Sequence, residues 1–344
     1  VQMLVSDFDY ELPSSLIAQD AIEPRHNSRL LDTSTMRDMT FVELPTLLDE
    51  GDLLVVNNTR VRAARLIGRR DTGGRTEVLL TSRIDPERWQ ALIKPARKVR
   101  VGSTITFPGG LSSTVLSDPV DGVATVALIA ESDVEDAIES AGSLPLPPYF
   151  HGTLESEDRY QTVFAQHVGS AAAPTAALHF SDQLLGSLDA HGVSVAAVDL
   201  EVGLDTFRPM DRGERGAGAI ADHQIHTEKV TVPAETVEAV AATRSRGGRV
   251  VAVGTTVVRS LESAATTGGQ IASYDGETDL FITPGYMPKV IDAVVTNFHA
   301  PGTTLLVLIA ALLGPGWRAV YDHAMISGYR FLSFGDAMYI EVQR

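Results

Sequence analysis

Three histidines and one glutamate are placed where proton transfer or ligation could occur. His179 closes the small-residue stretch Gly169–Phe180, GSAAAPTAALHF. His226 and Glu228 fall in DHQIHTEKV at 222–230, and His299 closes TNFH. Histidine titrates near neutral pH and can act as acid, base or metal ligand. The first stretch holds five alanines, one glycine and one proline, so a backbone can approach closely there, as in a tight wall around a ligand. Pro174 fixes its own φ and interrupts any helix before it. Ser181 and Asp182 can cap a helix through Leu184, Leu185 and Leu188. His179 then stands just before a helix N-terminus, where backbone N–H groups and the dipole favour anions. The alternative is a packing loop with a satisfied histidine. His-x-x-His followed by Glu is a possible ligand set, but its spacing is no standard zinc framework.

The elements around these residues alternate between α/β and all-β texture. Pro13 suits the first turn of a short helix holding Leu16 and Ile17. Phe41–Glu50 has helical spacing, with Gly51 as its C′ residue. Asp52–Asn57 reads as a buried strand running into NNTRV at 57–61. From 62 to 149, six short runs of strand character are separated by Gly, Pro and Asp turns, which predicts a small antiparallel β-barrel. Beyond it come a helix over 182–190, a buried strand over Val193–Leu200 and an amphipathic helix over Glu235–Arg246. RVVAVGTTVVRSLES at 249–263 reads as strand, Gly-Thr-Thr turn and helix, a geometry that offers N–H groups to a ligand and is not a dinucleotide fingerprint. Asn297–His299 end a further strand, and Thr303 can cap the apolar helix 304–313. The expected architecture is an α/β main domain, 1–61 and 150–344, with a β-barrel domain inserted at 62–149.

Composition narrows the chemistry. The 344 residues contain no cysteine, which excludes disulfides, thiolate metal sites and a cysteine nucleophile. The aliphatic run Leu305–Leu313 is too short to span a bilayer, and the first residues do not read as a signal peptide, so a cytoplasmic protein is expected, with no membrane partner. The net charge of −16 argues against a nucleic-acid partner until its distribution is counted. Residues 60–100 carry 12 Lys+Arg against 4 Asp+Glu, leaving 16 basic and 40 acidic residues elsewhere. A basic segment on an acidic body is the asymmetry of a localised phosphate-binding face; the alternative is arginines alternating outward on an ordinary sheet. Arg25 and Arg29 are either carboxylate or phosphate forks or plain ion-pair partners.

DRYQTVFA at 158–165 followed by GSAAAPTAALHF resembles the S-adenosylmethionine:tRNA ribosyltransferase-isomerase family of queuosine biosynthesis, whose pattern is close to RYQTVYA and GSVAAPTAGLHF. The resemblance runs the length of the chain. It includes DFDYELPSSLIAQDAIEPRHNSRLL at 7–31, the Gly-Thr-Thr turn, TNFHAPGTTLL at 296–306 and YRFLSFGDAMYI at 329–340. Four positions depart from the family pattern: Asn58 stands for Asp, Glu201 for His, Asp205 for Gly and Gly302 for Lys or Arg.

The resemblance implies transfer and isomerisation of the ribosyl part of S-adenosylmethionine onto the 7-aminomethyl-7-deazaguanine base of tRNA. The products are epoxyqueuosine-tRNA, adenine and methionine. It implies no cofactor beyond S-adenosylmethionine as co-substrate, no metal, and tRNA as partner to a monomer. A sulfonium acidifies the adjacent 5′-carbon, so one group must take a proton, and an acid near the departing adenine would help. With the resemblance, the candidate acid–base groups are His179, His299, His226 and Glu228, with His179 and His299 first. Arg29 and Arg259 are expected to hold carboxylate or phosphate. Asn57, Thr59, Arg60, Pro174, Thr175, Phe180, Gly254, Thr255, Thr256, Asn297, Phe298 and Asp336 are expected to line the substrate site. The four departures motivate a second reading, a paralogue acting on S-adenosylmethionine with a small-molecule acceptor or water. A third is an RNA-binding module without catalysis, against which the intact histidines argue.

Overall fold

A computed structural model describes residues 2–203, 209–210, 218–225 and 227–342. The chain forms two compact units: Val1–Arg60 with Pro147–His167 and Ala173–Arg344, and Val61–Leu146 with Val168–Ala172.

The larger unit is built on a nine-stranded sheet. Its order is Tyr274–Thr278, Glu228–Val232, Ser194–Leu200, Leu53–Asn57, Val250–Val253, Ala293–Asn297, Ala337–Glu341, Arg29–Asp32 and Arg37–Thr40. The four strands from Ser194–Leu200 to Ala293–Asn297 run parallel. Leu53–Asn57, Val250–Val253 and Ala293–Asn297 are buried at every residue, so they read as unbroken apolar runs rather than alternations. One face packs Leu54, Val56, Val251, Val253 and Val295 against Phe180, Leu184 and Leu188. Ser181 caps the Asp182–Ala190 helix, its hydroxyl accepting from Leu184 N, as its position before the apolar run predicts.

Two expectations need correction. Phe41–Leu47 is a 3₁₀ segment that closes at Leu48, well before Gly51. Pro45 inside it has no N–H for an α-helical bond, and a Thr40–Glu43 capping box fixes its start. Gly51, at φ +90°, instead turns the chain into the Leu53 strand. The Ser194–Leu200 strand is buried only toward its C-terminal end, because the neighbouring Glu228–Val232 strand pairs with Asp199 and Leu200 alone.

The smaller unit is a six-stranded antiparallel barrel: Arg65–Arg70, Arg75–Arg83, Arg88–Lys94, Val123–Ile129, Ser112–Val115, Thr104–Thr106, closing back on Arg65–Arg70. Alternate residues such as Leu66, Val78, Leu80, Ile93, Val126 and Leu128 fill its interior. The fold expected from the sequence, an α/β domain carrying a small antiparallel barrel, is the one observed.

The C-terminal helices run on from Thr304 to Ile326, 23 residues, within which an 18-residue window has mean hydropathy 1.5 and is half buried within the chain. Length and composition alone would let that segment cross a membrane. Here Leu306, Val307, Leu308 and Ile309 form buried packing of the larger unit.

Candidate functional site

The parallel strands Val250–Val253 and Ala293–Asn297 deliver their C-terminal ends to one cavity, the usual place for a ligand in an α/β sheet. Gly254, Thr255 and Thr256 form one wall, Thr296–Ala300 another, and Ala173–Ala176 a third. Val202, Thr303, Leu305, Leu332, Ser333 and Tyr149 complete it. The small-residue wall anticipated from the sequence is present. Gly254 has φ +92° and ψ 155°, a conformation open essentially to glycine alone, and it starts the Thr255–Ser263 helix without a side-chain cap. The first N–H groups of that helix are therefore available beside the cavity, and the Thr256 hydroxyl is buried with no hydrogen-bond partner among the described residues.

His299 lies on this wall, held by its backbone. Its carbonyl accepts from the Tyr10 hydroxyl at 2.5 Å, and its N–H donates to the Tyr321 hydroxyl at 3.2 Å. Nε2 is 3.4 Å from the Thr296 hydroxyl, while Nδ1 is buried without a partner among the described residues. Burial lowers its pKa to about 3, so the ring is neutral at physiological pH.

His179 sits outside the cavity lining, and both its nitrogens are engaged. Asn297 Nδ2 donates to His179 Nε2 at 3.1 Å and to the Asp336 carbonyl at 3.4 Å, an orientation set by that carbonyl. Nδ1–H then donates to the Ser28 hydroxyl at 2.7 Å. The ring stacks on Phe41, 4.8 Å between centroids. Burial, then the charges of Arg159 and Arg330, lower its pKa to about 3. Thr175 completes the chain by donating to Asn297 Oδ1 at 2.9 Å. His179 thus orients Asn297 and, through it, the Thr175 edge of the cavity.

Of the other residues expected at the site, Pro174, Thr175, Gly254, Thr255, Thr256, Asn297 and Phe298 line the cavity. Glu228, Arg29, Asn57, Thr59, Arg60, Phe180, Arg259 and Asp336 do not, and His226 and Asp205 lie outside the described residues. Glu228 and Arg259 form a buried ion pair. Glu228 also accepts from Gly203 N at 3.2 Å, so the pair holds the segment beside Val202. Arg29 stacks on Tyr329 and faces Asp38 at 3.5 Å, an ion-pair partner as the alternative reading held. Asn57 ties its strand to the next by donating to the Leu200 carbonyl. Asp336 accepts from Arg29 N and Arg330 N at 2.9 and 2.8 Å. Phe180 is core, against Phe41 and Phe164. Gly302 has φ +68°, where the Lys or Arg of the family pattern would be strained in this backbone.

Sequence reasoning missed Tyr149 and Ser333, which share a 2.6 Å hydrogen bond on the cavity wall. Burial pushes the tyrosine up to about 12. The aromatic after the Pro-Pro pair was the available signal, read only as a link between domains.

A cavity at the carboxyl ends of parallel strands, with an open helix N-terminus and a neutral buried imidazole, is the arrangement of a small-molecule site in an α/β enzyme. A family profile described as queuosine biosynthesis protein matches residues 5–340, and the chain belongs to that family. An S-adenosylmethionine:tRNA ribosyltransferase-isomerase of Symbiobacterium thermophilum is 46% identical over 98% of this chain and 100% of its own. That of Gloeobacter violaceus is 46% identical over 98% and 96%. The solved S-adenosylmethionine tRNA ribosyltransferase of Thermotoga maritima is 36% identical, covering 97% of this chain and 100% of its own, with a TM-score of 0.55.

Proposed function

We propose that this chain is an S-adenosylmethionine:tRNA ribosyltransferase-isomerase. It moves the ribosyl group of S-adenosylmethionine onto the 7-aminomethyl-7-deazaguanine base of tRNA, isomerises it, and releases adenine and methionine. The observation that carries the reading is the full-length identity of 46% to enzymes of that name. It is supported by the position of the cavity at the carboxyl ends of the parallel strands. Nothing among the relatives favours the small-molecule paralogue. The reaction balances without a redox cofactor, and its place is the cytoplasm, where both substrates are found.

In this proposal the nucleoside lies against Pro174–Ala176 and the Gly254–Thr256 turn. His299 Nδ1, unpartnered and neutral, takes the 5′ proton acidified by the sulfonium. The proton that the ring takes can then be delivered to adenine as it departs. His179, Glu228 and Arg259 are positioning residues, acting through Asn297 and the 201–203 segment. Digestion of tRNA after incubation, with mass spectrometry of its nucleosides, tests the reading. Epoxyqueuosine should appear with the wild-type chain and be lost in His299→Asn. No modified nucleoside from a folded wild-type chain would sink it.

A further inference from the structure

We infer that one rim of the barrel is a phosphate-backbone contact surface for the RNA substrate, an inference that rests on the proposed function. The 12 cations of residues 60–100 are not spread evenly over the strands. Arg65 pairs with Glu77 and Arg88 with Asp85, while Arg62 and Arg83 share Glu135. Of the remaining eight, Arg60 belongs to the larger unit and seven gather at the other end of the barrel strands. Arg69, Arg70 and Arg75 flank the hairpin turn at 71–74. Lys94 ends the neighbouring strand, opposite Glu77, whose carboxylate is already bound by Arg65. The loop that follows carries Arg97, Lys98 and Arg100, and Arg70 Nη1 donates to the Lys98 carbonyl at 2.7 Å, tying loop to hairpin. Six of these seven are exposed, Arg70 is half-buried, and none is in an ion pair among the described residues. The acidic groups on the same rim are Asp71, Asp118 and Asp121. Asp71 is occupied with Thr72 N and Asp118 with Val101 N.

Arg69 and Arg75 are direct cross-strand partners. Like charges facing each other across a ladder are destabilising by themselves. They line one open hollow together with Gly68, Thr106 and Pro108. A chain whose net charge is −16 has carboxylates to spare, yet none among the described residues pairs with Arg69 or Arg75. An anion arriving from outside resolves the repulsion. A polyanion suits seven cations along a hairpin and its adjoining loop better than a single phosphate does.

The test is tRNA binding against salt with the full chain carrying Arg69→Gln, Arg75→Gln, Arg97→Gln and Lys98→Gln. Four lost phosphate contacts lower the slope of log affinity against log salt by about 3. Between 50 and 200 mM salt the variant then loses about 60-fold less affinity than the wild type. The thermal midpoint should hold or rise, since a repulsive pair is removed, and S-adenosylmethionine binding should not change. A control, Arg65→Gln with Arg88→Gln, removes two paired cations and should keep the wild-type slope to within about 1. An unchanged slope in the fourfold variant, with wild-type tRNA binding intact, overturns the rim. An equal fall in the control overturns it too, by making the effect one of net charge. Binding to anionic vesicles but not to tRNA would assign the rim to a lipid surface and overturn it as stated. Wild-type protein that neither binds nor modifies tRNA would instead defeat the proposed function.

Discussion

Lowering the pH from 7 to 5 should destabilise the protein through His179 and His299 by about 2 kcal/mol each. Burial, joined at His179 by the charges of Arg159 and Arg330, brings both folded pKa values to about 3. The unfolded value is about 6.5. Between the two, the unfolded chain binds a proton that the folded chain refuses. Stability therefore rises with pH through this window and is lost as pH falls below about 6.5. Integration from pH 7 to 5 gives about 2 kcal/mol per ring. The aspartates with depressed pKa, Asp32, Asp38 and Asp52, are stabilising above their unfolded values of about 3.9, and their contribution fades mainly at lower pH. Urea denaturation of the wild type and of His179→Gln at pH 7, 6 and 5 isolates one ring, since every other group is common to both. The variant starts less stable at pH 7, because Asn297 and Ser28 lose well-placed partners. Across the interval it should lose about 2 kcal/mol less than the wild type. Equal losses would refute the assignment of His179 as a buried neutral ring.

Gly254→Ala should cost about 1–3 kcal/mol from backbone strain at φ +92°, since its new methyl would meet Ala176 at an ordinary 3.5 Å; a wild-type thermal midpoint would contradict this. Glu228→Gln leaves Arg259 buried without its counter-charge and should lower stability by about 3–5 kcal/mol in denaturant titration, with Arg259→Met in the same chain restoring part of it. Thr256→Val removes a hydroxyl that has no partner in the free protein, so stability should hold while the KM for S-adenosylmethionine rises several-fold, about 1 kcal/mol of binding. An unchanged KM would place the substrate elsewhere.

Strand and helix identities in the larger unit were legible because buried parallel strands write themselves as runs such as LLVV and VVAV, and because Ser181 and Thr303 are capping residues in the right places. The barrel was legible from alternation and turn residues. What the sequence concealed was direction. His179 and His299 look alike in sequence, each beside a phenylalanine at an element's end. Only the fold turns one toward Ser28 and Asn297 and leaves the other on the cavity wall. Arg29, Arg259 and Asp336 have the chemistry of ligand-binding groups and spend it on Asp38, Glu228 and two backbone N–H groups. Such pairings join residues 6 to 307 positions apart, and a local pattern does not encode the distant ones.

The central claim is that the cavity beside His299 opens S-adenosylmethionine on behalf of a tRNA acceptor. Free adenine measured by chromatography tests it most directly, with S-adenosylmethionine alone and with tRNA bearing 7-aminomethyl-7-deazaguanine, for the wild type and His299→Asn. The prediction is adenine in amounts matching modified tRNA, only when that tRNA is present, and about 10²-fold slower in the variant. Adenine released without tRNA, or at an undiminished rate from folded His299→Asn, would contradict it.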